Sequence, residues 1–447
     1  MNWRYRLMRA TSPRWPEGRS RRRGRTLVAV ALITAVAAIA IFDVGCRMTR
    51  TTGPEAGPGV VPDVPTTPLT AAPPDRTVRV RLCGKYGCES FTLALKSAYQ
   101  IRDVDSGALL VDAHRGFSTL AVSPDPRSER FIRIGAYPYA SGHIEVVPAR
   151  EPALVINGNL YPGSLVIRRD GRRVLVTNHV DVEAYLPGVL AGELPASFHG
   201  EAFAAQAVAA RTYVLYHKQV YGAKRDYDVL PDERSQMYVG VPGPQFKIAT
   251  LAVGRTLGEV CTLPDAPEPA LFSTYYASCC GGMSQGVNAA KPGDPQVGPL
   301  RGGVACDACR DAPYFRWKDV RLSKAELTKR LVERYPSLAR LGAMVRFEPT
   351  ATSADGRISR IRLSGKNGES ETLVGEDFRL AVGGRQIKST RCNLLDDGDG
   401  VVFYEGRGFG HGLGLCQYGA NGLARRGLSY REILAHYYPG CVIRTLQ

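Results

Sequence analysis

Histidine is scarce in this 447-residue chain: there are seven, and no HExxH among them. Catalytic zinc of the helical metalloprotease kind is therefore excluded. Only one CxxC occurs, Cys306-Asp-Ala-Cys309, so the paired CxxC signature of a zinc ribbon is missing. No GxGxxG register and no Gly-Lys-Ser/Thr accompanies the chain's densest run of glycine, which argues against a phosphate cradle there. Basic residues are not interleaved with aromatics in the RNA-binding manner, and the net charge of +16 does not point to a nucleic-acid partner once it is located. Residues 1–25 hold nine arginines against one acid, Glu17, so half of the excess is an N-terminal feature. The rest, about +8, favours an anionic polymer without dictating one.

What is present begins with that arginine cluster and the apolar run Leu27 to Phe42, which has 16 residues and is slightly short for an ordinary spanning helix of about 20. The pair reads as an export signal or membrane anchor, with the arginines cytoplasmic and everything after Phe42 outside, in the cell envelope. Val44-Gly45-Cys46 is similar to a bacterial lipoprotein cleavage site, although Asp43 stands where such sites usually carry Leu. Residues 47–77 are rich in Pro, Thr and Gly and form a semi-extended spacer.

With 44% hydrophobic residues, the remainder can build real cores. From residue 78 to 180, period-two alternation recurs in short runs with Asp-Gly or Ser-Gly turns, which predicts a β-rich part. GEAFAAQAVAARTYVLYHK then predicts a helix with an apolar stripe of Phe203, Ala207, Ala210 and Val214, flanked by half-buried Gln206 and Arg211. A second helix is expected over 322–340. A third starts at Ser429, where Ser-Tyr-Arg-Glu has capping-box spacing, and stops at Pro439-Gly440. The fold class is α+β, β-rich with a few packed helices around a cleft.

The eleven cysteines suit an exported chain. Cys83 and Cys88 have the spacing of a disulfide across a hairpin loop. Cys279, Cys280, Cys306 and Cys309 fit a structural zinc or disulfides equally well. In GRGFGHGLGLCQYGANG, Gly406 to Gly422, glycine takes every second place from Gly406 to Gly414. Read with the period of a strand, this gives one bare face that something approaches closely, either another backbone in a tight core or a bound partner. Glu193, between Leu190 and Leu194-Pro195, sits in an apolar setting that would raise its pKa and keep a proton available for donation; a plain loop carboxylate near a helix start is the other reading.

YLPGVLAGELPASFHGEAFAAQAVAARTYVLYH resembles the core of the SpoIID/LytB family of cell-wall proteins, and DERSQMYVG, FSTYYASCCGGMSQG, FRLAVGGRQIKST and the glycine-rich stretch with GLSYREILAHYYPG agree in order. The resemblance covers most of residues 78–447. It implies a peptidoglycan lytic transglycosylase that makes 1,6-anhydromuramoyl ends, favours denuded strands, uses Glu193 as its single acid and base, and needs no cofactor for chemistry. It implies that Gln206, Arg211, Gln236, Tyr238, His411 and Gln417 line or brace the cleft, with glycan passing the glycine face. Phe409 stands where many relatives have Trp, and Ala277 where some carry a zinc-binding histidine. The implied parts are 78–150, 151–318 with Glu193 and the cysteine cluster, a 319–395 insertion, and 396–447. The LytB side of the family implies the alternative: a non-catalytic glycan-binding protein that stimulates a cell-wall amidase.

Overall fold

The structure, a computed structural model, describes residues 75–264 and 269–446. The basic segment, the apolar run, Cys46 and nearly all of the spacer lie outside the described residues. No described helix is long and apolar enough to cross a membrane.

The alternating runs form two six-stranded antiparallel sheets. One orders its strands Thr77–Arg81, Arg173–Asp181, Ser164–Asp170, His143–Pro148, Tyr99–Asp103 and Leu109–Ala113; the other is centred on Phe91–Leu95 and Leu120–Pro124. Their inward residues, such as Val78, Val80, Leu93, Ile101 and Val146, are fully buried in a core that extends into the helices. Strand His143–Pro148 pairs with Ser164–Asp170, so a sheet runs across the division expected at residue 150.

Eight helices are described: α1 (Val182–Glu193), α2 (Gly200–Tyr221), α3 (Lys247–Arg255), α4 (Val287–Ala290), α5 (Lys324–Arg334), α6 (Gly375–Val382), α7 (Gln417–Arg425) and α8 (Tyr430–Tyr437). Helix α2 was expected to show a narrow stripe. Instead every residue from Ala202 to Tyr216 is buried, because α2 is covered on all sides by α1, α3, α7, α8 and strand Glu259–Thr262. Its alanines permit that close packing, and they explain why the stripe looked narrow: small apolar residues surround the helix. The expected helix over 322–340 is α5, capped by Ser323, followed by a 3₁₀ turn Pro336–Leu341. The capping box at Ser429 forms with Glu432 at the start of α8.

A second core spans Trp317 to Phe403. It joins α5 and α6 to two three-stranded sheets, one made of Met344–Thr352, Ile358–Gly365 and Ser370–Val374, the other of Val320–Ser323, Gly400–Tyr404 and Asn393–Asp396.

Candidate active site

Glu193 closes α1, and its carboxylate is held from three sides. The Met237 N–H donates to Oε1 at 2.9 Å, the Tyr276 hydroxyl to the same oxygen at 3.4 Å, and Gln417 Nε2 to Oε2 at 3.1 Å. Two local features of the sequence bring these partners in. Gly188 and Gly192 lie one turn apart on α1; a Cβ on Gly188 would stand 2.1 Å from the Gly240 oxygen, and one on Gly192 2.7 Å from the Met237 oxygen. This bare flank lets residues 237–240 lie directly on the helix, which puts the Met237 amide under Glu193. The second feature is a short parallel bridge in which Tyr276–Ala277 pairs with Leu415–Cys416. It delivers Tyr276 from one strand and Gln417, the first residue of α7, from the next position along the other.

A neutral relay supports Tyr276. Gln236 Nε2 donates to the Tyr276 oxygen at 2.9 Å and to the Ala210 carbonyl at 3.2 Å, while its Oε1 accepts from the Tyr185 hydroxyl at 3.1 Å. Because Gln236 donates to the Tyr276 oxygen, the phenolic hydrogen is left for Glu193. All three donors favour the ionised carboxylate. Burial is nevertheless the largest influence and leaves the Glu193 pKa above its ordinary value. The residue keeps some solvent exposure, while protein encloses most of its carboxyl.

The glycine-rich stretch is not the pleated strand that its alternation suggests. Gly408, Gly410, Gly412 and Gly414 all have φ between +61° and +98°, so the segment alternates left-handed residues with ordinary ones and touches its neighbours through single bridges, Cys279 to Phe409 and Gln285 to Leu413. The close neighbour is the protein itself rather than a glycan. Added Cβ atoms would meet the Trp317 ring at Gly406, the Cys279 carbonyl at Gly408, the Arg357 guanidinium at Gly412 and the Tyr275 carbonyl at Gly414.

The six residues expected to line or brace the cleft divide accordingly. Gln417 touches Glu193 and Gln236 acts one step behind it. Arg211, 1% exposed, is a brace: it grips both oxygens of Glu183 at 2.9 and 2.6 Å and donates to the Glu259 carbonyl at 3.0 Å. Tyr238 is buried between Tyr161 and Tyr185 and donates to Asn178. Gln206 is wholly buried, with no hydrogen bond to its amide among the described residues. For these three the bracing half of the expectation remains and the lining half does not, since side chains so nearly buried cannot meet a polymer. His411 accepts the Leu413 N–H on Nδ1 at 2.9 Å and stands edge-on to Tyr275; among the described residues it is not a hydrogen-bond partner of Glu193. Burial pushes its pKa down to about 3, so it is neutral at physiological pH.

The sequence reading missed Met237, Tyr276 and Tyr185. A backbone amide leaves no trace in side-chain chemistry, but the two small residues at 188 and 192 marked the approach of another segment. The cysteines also regroup. Cys280, Cys306 and Cys309 meet Cys416 in place of Cys279, which touches Cys309 and Cys416 from outside that set. The Cys83 and Cys88 side chains are in contact, as the hairpin spacing suggests. Open cavities of about 620 and 600 Å³ lie elsewhere, the first beside α5 and α6, the second lined by Arg310, Ala312, Phe315, Arg316 and Arg407.

An α+β scaffold that holds one partly enclosed carboxylate among neutral donors defines a class of single-carboxylate site. The comparisons give the family. Residues 170–263 match the model of the SpoIID family, described as Stage II sporulation protein. An uncharacterized protein of Brachyspira hyodysenteriae is 30% identical over 295 residues, covering 66% of this chain and 75% of that one. Stage II sporulation protein D of Bacillus subtilis is 26% identical over 314 residues (67% and 84%), and the amidase enhancer of the same organism 28% over 305 residues (58% and 40%). The chain belongs to the SpoIID/LytB family.

Proposed function

We propose that this protein is a cell-wall lytic transglycosylase that cleaves peptidoglycan glycan strands with Glu193 as its only acid and base. The observation that carries the reading is the Glu193 environment: a carboxyl with a raised pKa whose three hydrogen-bond partners are all neutral. Glu193 Oε2, with one partner against two for Oε1, delivers its proton to the glycosidic oxygen as the C1–O bond breaks. The C6 hydroxyl of the same muramoyl residue then attacks C1, and its proton passes to the ionised Glu193. One bond breaks, one forms, and the proton returns, so the product is a 1,6-anhydromuramoyl end and no water is consumed. An intramolecular nucleophile has a high effective molarity, which removes the need for a second carboxylate. No cofactor takes part.

Denuded strands fit best as substrate. Without stem peptides each muramoyl residue exposes a lactyl carboxylate, and Arg310, Arg316 and Arg407 with Phe315 offer an open basic cavity of about 600 Å³ on the glycine-rich side. The N-terminal arginines and apolar run support export to the cell envelope. A second reading, glycan binding that stimulates a cell-wall amidase, is favoured by the likeness to the amidase enhancer.

The full-length chain in detergent, beside Glu193→Gln, is incubated with denuded strands and with peptide-bearing strands, and the products are read by mass spectrometry. Anhydromuramoyl ends from wild type on denuded strands, lost in the variant, are the expected result. If both proteins bind the strands and neither cuts, the amidase-stimulating reading takes its place.

A further inference from the structure

We propose that the thiolates of Cys280, Cys306, Cys309 and Cys416 bind one zinc-class divalent cation, which clamps three distant chain segments together beside the Gln417 contact to Glu193. The four sulfurs lie within 4.8 Å of one another, and all four residues are buried. A tetrahedral site with metal–sulfur bonds of about 2.3 Å has sulfur–sulfur edges of about 3.8 Å. The sulfurs of Cys280 and Cys309 are 3.7 Å apart, a tetrahedral edge and far from the roughly 2 Å of a disulfide.

The surroundings suit thiolates. Cys416 Sγ accepts the backbone N–H groups of Cys280 and Gly419, both at 3.3 Å, and the Tyr437 hydroxyl stands 3.0 Å from Cys306 Sγ. Residue 419 must be glycine for this: a Cβ there would lie 2.5 Å from Cys306 Sγ and 2.0 Å from the Tyr437 oxygen. Cys280 is followed by Gly281 and Gly282 at φ +72° and +114°, a turn whose Gly282 carbonyl accepts the Cys306 N–H at 3.0 Å. Four thiolates and a divalent cation carry a net charge of −2. Arg357, without exposure, donates to the Cys280 carbonyl at 2.7 Å, and Arg391 to that of Gly281 at 2.8 Å. A soft, closed set of four sulfurs leaves no open position, so the cation is structural.

Its consequence lies one residue on. Cys416 is the N-cap of α7 and Gln417 is the first residue of that helix. Fixing Cys416 therefore fixes the residue that holds Glu193 Oε2. The metal site stands apart from the chemistry proposed at Glu193, and it is tested without reference to activity.

The full-length chain, purified in detergent without chelator, is assayed for bound metal by mass spectrometry beside Cys416→Ser, Cys309→Ser and Cys279→Ser. One zinc per chain is expected in wild type and in Cys279→Ser, and loss of that equivalent in the other two. Since ligand variants can fail to fold, stripped wild type is also titrated with Co²⁺, with thiolate charge-transfer absorption expected to saturate at one equivalent. Wild type that carries no metal and yields these cysteines as disulfides, or gives no charge-transfer band, overturns the proposal. Loss of metal in Cys279→Ser with retention in Cys416→Ser overturns the ligand set.

Discussion

Two opposed influences act on the proton of Glu193. Three donors favour its release, and burial, the stronger, favours its retention. The folded chain therefore holds this proton more tightly than the unfolded chain. That contribution to stability is complete below the ordinary value of 4.5 and is lost as pH rises through the higher folded value. Glu193→Gln removes the ionisation and keeps the shape, with the Gln417 amide free to turn and offer its oxygen to the new NH₂. The expected outcome is a variant of similar denaturant midpoint to wild type at pH 4 and a higher midpoint at pH 8. Parallel midpoints across that range would mean that the carboxyl titrates as an ordinary one.

Helix α1 shows how an element sets the site without touching substrate. Its glycine flank, not its charged residues, determines where Met237 sits. In Gly192→Ala the new Cβ would meet Met237 backbone and Cβ atoms at 2.7 and 3.0 Å, and backbone cannot swing away as the end of a flexible side chain can. Overpacking of this kind costs about 1–3 kcal/mol. It would also shift the amide that binds Glu193 Oε1, so the variant should unfold at lower denaturant and lose strand cleavage while still binding glycan. Normal cleavage by the folded variant would show the Met237 contact to be dispensable. The elements themselves were unequally legible. The hairpins between Thr77 and Asp181 and the capping box at Ser429 follow from local alternation and local chemistry, so a sequence displays them. The Gly406–Gly414 segment misled because a period of two also arises when left-handed glycines alternate with other residues. Periodicity records which residue types recur, and not the sign of φ.

Across the whole molecule, Glu193 itself was legible from its apolar neighbours, whereas its partners were not. Gln417 reaches it across 224 positions and Tyr276 across 83, through a parallel bridge only two residues long on each strand. Pairings that short have no repeat to detect. The same distant segments meet in an aromatic series: His217 stacks on Tyr213, Tyr213 stands edge-on to Tyr275, and Tyr275 to His411. This series ties α2 to the glycine-rich segment, and it has a half-buried histidine at each end. Burial lowers both histidines from 6.5 to about 3; Lys291 and Arg225 reinforce the shift at His217, and Lys291, Arg379 and Arg357 at His411, against the opposing charge of Glu376. Below pH 6.5 the unfolded chain thus binds protons that the folded chain refuses. Their stabilising contribution is present above about 6.5 and disappears as pH falls toward about 3, the opposite sense to Glu193. The full-length chain should lose denaturant midpoint steadily from pH 7 to pH 4, and His217→Gln with His411→Gln should flatten that slope. An equally steep slope in the double variant would assign the acid lability to other groups and leave the two imidazoles as ordinary packing.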